Sequence, residues 1–176
     1  MQSMDKASLI TLGQHLQQLR LERGLSLSQL AADAGIAKSN LSRLEQGNGN
    51  PTLDTIWRLA VQLNMPFGAL VAPVNSSFGE TGMEVRLIDQ GKDNPKVDAY
   101  WMSIAPGTHR QAEAHATGTQ ETITLISGSL EAGLLDEATC LSPGQSVTFA
   151  ADKPHVYQTG KDWATCLITI VYMGNT

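Results

Sequence analysis

"GLSLSQLAADAGIAKSNLSRLEQG", residues 24–47, carries two helix starts and two helix stops in close succession. Ser26 followed three residues later by Gln29 has the spacing of a capping box, in which a hydroxyl and a side-chain amide each satisfy a free backbone donor. A helix therefore starts near Leu27. Gly35 supplies the permissive backbone needed to leave that helix in a tight turn. The chain then resumes helical spacing, with Ile36, Leu41 and Leu44 as apolar anchors, until Gly47 stops it.

The same periodicity extends outward on both sides. Upstream, Leu9, Leu12, Leu16 and Leu19 recur at three and four, the stripe of an amphipathic helix. Downstream, Pro51 and Thr52 are start signals for a helix that buries Leu53, Ile56, Trp57, Leu59, Ala60 and Leu63. "MPFGALV", residues 65–71, reads as a short closing helix, which makes about five helices in this part of the chain.

After residue 71 the texture changes. "APVNSSFGETG", residues 72–82, is rich in Pro, Gly, Asn and Ser, as a linker between domains would be. Short runs follow that are rich in Val, Ile, Thr, Leu and aromatics: "MEVRLID", "VDAYWMSIA", "ETITLIS", "SLEAGLL", "QSVTF", "HVYQT" and "ATCLITIVYM". Gly and Pro punctuate them at the spacing of an antiparallel barrel or jelly roll. The expected fold class is thus two-domain: an all-α bundle at 9–71, a linker at 72–82 and an all-β barrel at 83–176.

Composition excludes some classes. With 41% hydrophobic and 16% charged residues the chain is of ordinary globular type. "MQSMDKASLI" has no apolar run behind a basic start, and "CLITIVYM" is too short to span a bilayer, so a cytoplasmic protein is expected. Cys140 and Cys166 lie in apparently apolar runs without CxxC spacing and read as reduced core thiols. The net charge of -5 divides unevenly. Residues 1–73 carry six Lys or Arg against five Asp or Glu, and residues 74–176 carry six against twelve, so any contact with DNA belongs to the first part.

Two helices joined by a tight turn can place the second in a DNA major groove. Burying Leu41 and Leu44 leaves Lys38, Ser39, Asn40, Ser42 and Arg43 facing out; Arg43 has the fork for a guanine and Asn40 the amide for an adenine. The run from "LGQHLQQLRLERG" through "NPTLDTIWRLAVQLN" resembles the DNA-binding domain of the phage-repressor-like (Xre) family nearly end to end, over about residues 9–71. The resemblance implies that those five residues occupy recognition-helix positions. It implies further that Asn48, Asn50 and Thr52 lie in a loop that meets phosphate, and that Arg20 and Glu45 form a buried ion pair. Leu27 departs from the family, which often has a backbone-touching glutamine there. So nearly neutral a unit neutralises few phosphates. A homodimer reading two half-sites roughly 10 base pairs apart is therefore expected.

From Met83 on, "APGTHRQAEAHATGTQETITLISGSLEAGLL" and "LSPGQSVTFAADKPHVYQTG" resemble the two signature segments of a cupin domain. Cupins bring two histidines and a glutamate from the first segment and one histidine from the second into the barrel. This sequence matches at His115, Glu121 and His155 and departs at Thr117. Two imidazoles and a carboxylate suit a divalent metal, zinc or iron; without one, the two histidines are polar lining residues. His109 is a candidate fourth ligand, in a loop. Tyr157, two residues beyond His155 on the same strand, faces the same way as an effector contact or as barrel filling, and Thr117 leaves room and a hydroxyl for an effector. The combined resemblance implies a transcription regulator of a double-stranded DNA operator, not an enzyme, whose cupin senses a small molecule. The shortlist of effectors is amino acids, polyamines or sulfur metabolites. The alternatives are a cupin oxygenase or isomerase on a DNA-binding arm, and an effector-free DNA-binding protein.

Overall fold

Asp5 starts the first helix. Its carboxylate accepts from the Ser8 backbone N–H at 2.8 Å, so α1 spans Lys6–Glu22 rather than starting near Leu9. The computed structural model describes residues 4–74, 78–80 and 82–173, and the chain divides into two compact units, Met1–Phe78 and Gly79–Thr176.

In the first unit α2 (Leu27–Asp33) opens on the Ser26/Gln29 capping box, both arms of which are present at 3.2 Å and 2.9 Å. Gly35, at φ +62°, turns the chain into α3 (Lys38–Glu45). Thr52 caps α4 (Leu53–Gln62), and α5 (Phe67–Val71) closes the bundle. Leu12, Leu16, Leu30, Leu41, Ile56, Leu59 and Leu63 are buried together, each contributing about 1.5–3 kcal/mol by leaving water. Leu9, Leu19 and Trp57 are only half-buried, and Trp57 packs on Phe67 with ring centroids 4.5 Å apart. Gly13 lets α1 cross the end of α3 closely: a Cβ there would lie 2.3 Å from the Leu44 carbonyl oxygen.

In the second unit the expected runs become β2 (Met83–Gln90), β3 (Lys96–Ile104), β5 (Thr119–Ser127), β6 (Leu130–Leu134), β8 (Ser146–Ala150), β9 (His155–Thr159) and β10 (Ala164–Tyr172). Three short strands join them: β1 (Phe78–Glu80), β4 (His109–Ala112) and β7 (Thr139–Leu141). β1 falls in the stretch expected as linker. The strand pairs β2–β3, β3–β10, β5–β10, β5–β8, β4–β9, β6–β9 and β6–β7 are antiparallel. The sheets run β1-β2-β3-β10-β5-β8 and β4-β9-β6-β7. The interleaving β3-β10-β5-β8 against β4-β9-β6-β7 is the double Greek key of a jelly roll, the architecture of cupins. Inside lie Tyr100, Met102, Ile123, Leu125, Cys166 and Ile168 from one sheet and Leu130, Ala132 and Leu141 from the other.

The two cysteines part company. Cys166 is a buried free thiol, pushed up to about 12 by burial and then by the charge of Glu121. Cys140, expected in the core, is exposed, because β7 is an edge strand that turns Leu141 inward and Cys140 outward. Among the described residues no helix is long and apolar enough to cross a membrane.

Candidate DNA-reading surface and metal centre

α3 is amphipathic, so anchoring Leu41, Leu44 and Glu45 inward fixes its outer face. Lys38, Ser39, Asn40 and Arg43 are exposed on it, and Ser42 is half-buried with its hydroxyl accepting from Gln46 at 3.2 Å. Asn48, Asn50 and Thr52 are exposed in the following loop, although Thr52 spends its hydroxyl oxygen on the cap of α4. Leu27 is half-buried as the first residue of α2 and offers no polar side-chain group there.

Under this surface Arg20 and Glu45 form the implied buried pair. Nε donates to Oε1 at 2.6 Å, Nη2 to Oε2 at 2.8 Å, and Nη1 to the Leu25 carbonyl at 2.9 Å. That bidentate fork ties α1 to the end of α3. Lys6, which nothing in the local pattern marks as functional, reaches the same end of α3. Its ammonium donates to the Gly47 carbonyl at 2.8 Å and to Asn48 Oδ1 at 2.7 Å, partners 41 and 42 residues away.

In the jelly roll, β5 carries Glu121 on its inward row, where register aligns Asp98, Ile170, Glu121 and Phe149 across four strands. β9 turns His155 and Tyr157 inward from the facing sheet, opposite the small residues Ala112 on β4 and Ala132 on β6. His115 arrives from the loop before β5, held by its own N–H on the Ala151 carbonyl at 2.8 Å. Gly118 N–H, in the same loop, donates to Asp152 at 2.9 Å, a support that no local pattern announced.

His115, Glu121 and His155 thus converge, all buried, with one ligand atom from each lying within 4.8 Å of the others. Glu121 Oε2 stands 3.4 Å from His115 Nε2 and 3.8 Å from His155 Nε2. His155 Nδ1 lies 2.9 Å from the Lys153 carbonyl, which can only accept, so the proton sits on Nδ1 and Nε2 presents a lone pair. Burial, the largest influence, holds the His155 imidazole below its usual value and so keeps it neutral. Burial opposes the charge on Glu121, but His115, His155 and the Tyr157 hydroxyl together outweigh it and hold the carboxyl below its usual range. Tyr157, raised well above the usual phenol value by burial and then by Glu121, remains a donor to Glu121 Oε1. Glu121 Oε2 and His155 Nε2 are buried without a hydrogen-bond partner.

Two candidates fall outside this group. Thr117 is exposed on the turn between His115 and β5, because Gly118 at φ +79° reverses the chain there and directs the side chain to solvent. His109 is not in a loop: it opens β4, points outward and meets Gln158 at 2.8 Å, since the inward positions of that strand are Arg110 and Ala112. A hollow of about 200 Å³ lined by Ser129, Glu131, Cys140 and Gln158, among others, does not include the three converging residues.

Comparison with known proteins agrees with both units. The helix-turn-helix family model HTH_3 matches residues 16–70. The chain is 30% identical over 151 residues to the HTH-type transcriptional regulator SutR of Escherichia coli (strain K12), covering 82% of this chain and 85% of that protein. A crystal structure of an HTH_3 family transcriptional regulator from Vibrio cholerae shares the fold with a TM-score of 0.85 at 24% identity, covering 96% of this chain and 99% of that one. The Cupin_2 domain of an XRE family transcriptional regulator from Enterobacter cloacae aligns at 29% identity over 53% of this chain and 99% of that one, with a TM-score of 0.48.

Proposed function

Because the chain belongs to the Xre-like family of helix-turn-helix transcriptional regulators, we propose that it binds a DNA operator through residues 9–71 and senses a small molecule through residues 83–176. Lys38, Ser39, Asn40, Ser42 and Arg43 read base edges from α3, while Asn48, Asn50 and Thr52 meet phosphate. His115, Glu121 and His155 hold one divalent metal, zinc or iron. The regulator acts in the cytoplasm as a homodimer, so that two copies of α3 read two half-sites.

One observation carries the metal reading: His155 Nε2 lies 3.8 Å from Glu121 Oε2, both buried without a hydrogen-bond partner, and His115 Nε2 lies 3.4 Å from the same oxygen. Two facing acceptors repel, and leaving both unsatisfied in the interior costs about 1–3 kcal/mol each. A cation between them removes the conflict, and two imidazole nitrogens with one carboxylate oxygen are a donor set that zinc and iron accept. When bound, the ion supplies open positions for an oxygen or nitrogen donor of the effector. The chain's own part is to orient the donors: Lys153 fixes the His155 tautomer and Tyr157 fixes the Glu121 carboxylate, as such supporting contacts do in metal sites generally. Amino acids, polyamines and sulfur metabolites remain the effector classes to screen.

Titrating chelator-treated full-length protein with zinc by calorimetry tests this. One ion per chain is expected for the wild type, and none for Glu121→Gln or His155→Ala. A wild type that takes up no zinc or iron(II) removes the metal centre from the proposal.

A further inference from the structure

A lysine ammonium has three N–H donors and no acceptor. Lys6, exposed in the first turn of α1, spends two of them at the end of α3: one on the Gly47 carbonyl at 2.8 Å and one on Asn48 Oδ1 at 2.7 Å. Because the lysine cannot accept, the Asn48 atom facing it must be the oxygen, and the Asn48 NH₂ is directed away. The backbone of Asn48 is held as well. Its N–H donates to the Arg43 carbonyl at 2.8 Å, and its carbonyl accepts from Arg43 Nη2 at 3.4 Å. Asp5, the adjacent acid, is turned to the Ser8 N–H and hydroxyl and does not meet the ammonium.

A cationic donor and a neutral amide donor therefore stand side by side on the exposed edge of the recognition unit, with Gly47 and Arg43 fixing their geometry. We propose that Lys6 and Asn48 together clamp a phosphate of the DNA backbone, which extends the DNA footprint from α3 to the start of α1. The clamp rests on the reading of α3 as the recognition helix. Lys6 has two roles in it: it sets the orientation of the Asn48 amide, and it neutralises one phosphate charge.

The two roles separate experimentally, since each neutralised phosphate contributes about -0.9 to the slope of log K against log salt, while a residue that only positions others contributes nothing. Full-length wild type, Lys6→Gln, Lys6→Arg and Arg43→Ala are titrated against a random-sequence 30-base-pair duplex over a range of salt concentrations. Lys6→Gln should lower the magnitude of the slope by about 0.9 per bound copy, so that raising salt from 50 to 200 mM costs it about three- to fourfold less affinity per bound copy than it costs the wild type. Lys6→Arg keeps the charge and should keep the slope. An unchanged slope in Lys6→Gln, even with weaker binding, assigns Lys6 to loop positioning alone and overturns the clamp. Arg43→Ala separates the premise: should it too leave slope and affinity untouched, α3 does not meet DNA, and the clamp falls with that reading.

Discussion

Arg20 and Arg43 show how differently two arginines in one unit are to be judged. Arg20 is buried and bidentate to Glu45, so its removal strands a buried carboxylate; Arg20→Met should destabilise the first unit by about 3–5 kcal/mol, visible as a fall in its melting temperature. DNA binding would be lost with the fold, not through a lost contact. Arg43 is exposed, and Asn40 beside it on α3 is too. Arg43→Ala and Asn40→Ala should each weaken specific operator binding by about 1–3 kcal/mol with the melting temperature nearly unchanged. Wild-type affinity in both would remove them as readers. The ion pair followed from resemblance alone, because 25 residues separate Arg20 from Glu45 and no periodicity connects them.

Among the elements, helices were easier to foresee than short strands. The Ser26/Gln29 box and the Leu41/Leu44 spacing act within a few residues, so α2 and α3 lie where local chemistry places them. β4 is "HRQA", without a β-branched residue or a Phe, Tyr or Trp, and forms because β9 pairs with it. β9 itself makes a pH prediction. Burial holds His155 below its usual 6.5, so the folded protein resists a proton that the unfolded chain takes up near that value. Its contribution to stability is complete above the unfolded value and declines as pH falls toward the folded one. Metal-stripped protein should therefore melt at progressively lower temperature as pH drops below about 6.5, and His155→Gln should flatten that dependence. A wild-type midpoint constant across this window would contradict the assignment. Glu121, whose carboxyl is held below its usual 4.5, adds its own loss only in more acidic solution.

Regulation requires the two units to be coupled, and a coupling free energy of about 1–3 kcal/mol would change operator affinity by roughly 5- to 150-fold. His115→Ala, Glu121→Ala and His155→Ala should each abolish the effector response while leaving effector-free DNA binding within a few fold of wild type, measured by mobility shift with the effector identified by screening. Normal responses in all three would place the sensor elsewhere. The division of this chain into a helical and a β-rich unit follows from hydrophobic period alone, because periods of 3.6 and 2 are written in neighbouring residues. The same is true of the outward face of α3 and of the common facing of His155 and Tyr157 along β9. Tertiary structure alone settled the rest: the Lys6 contact with Asn48, the donation from Tyr157 to Glu121, the exposure of Thr117 and Cys140, and the separation of His109 from the other histidines. The exposure of Thr117 comes from the turn at Gly118, and the others depend on which face a strand register turns inward or on partners tens of residues apart; none of these is written in a hydrophobic period.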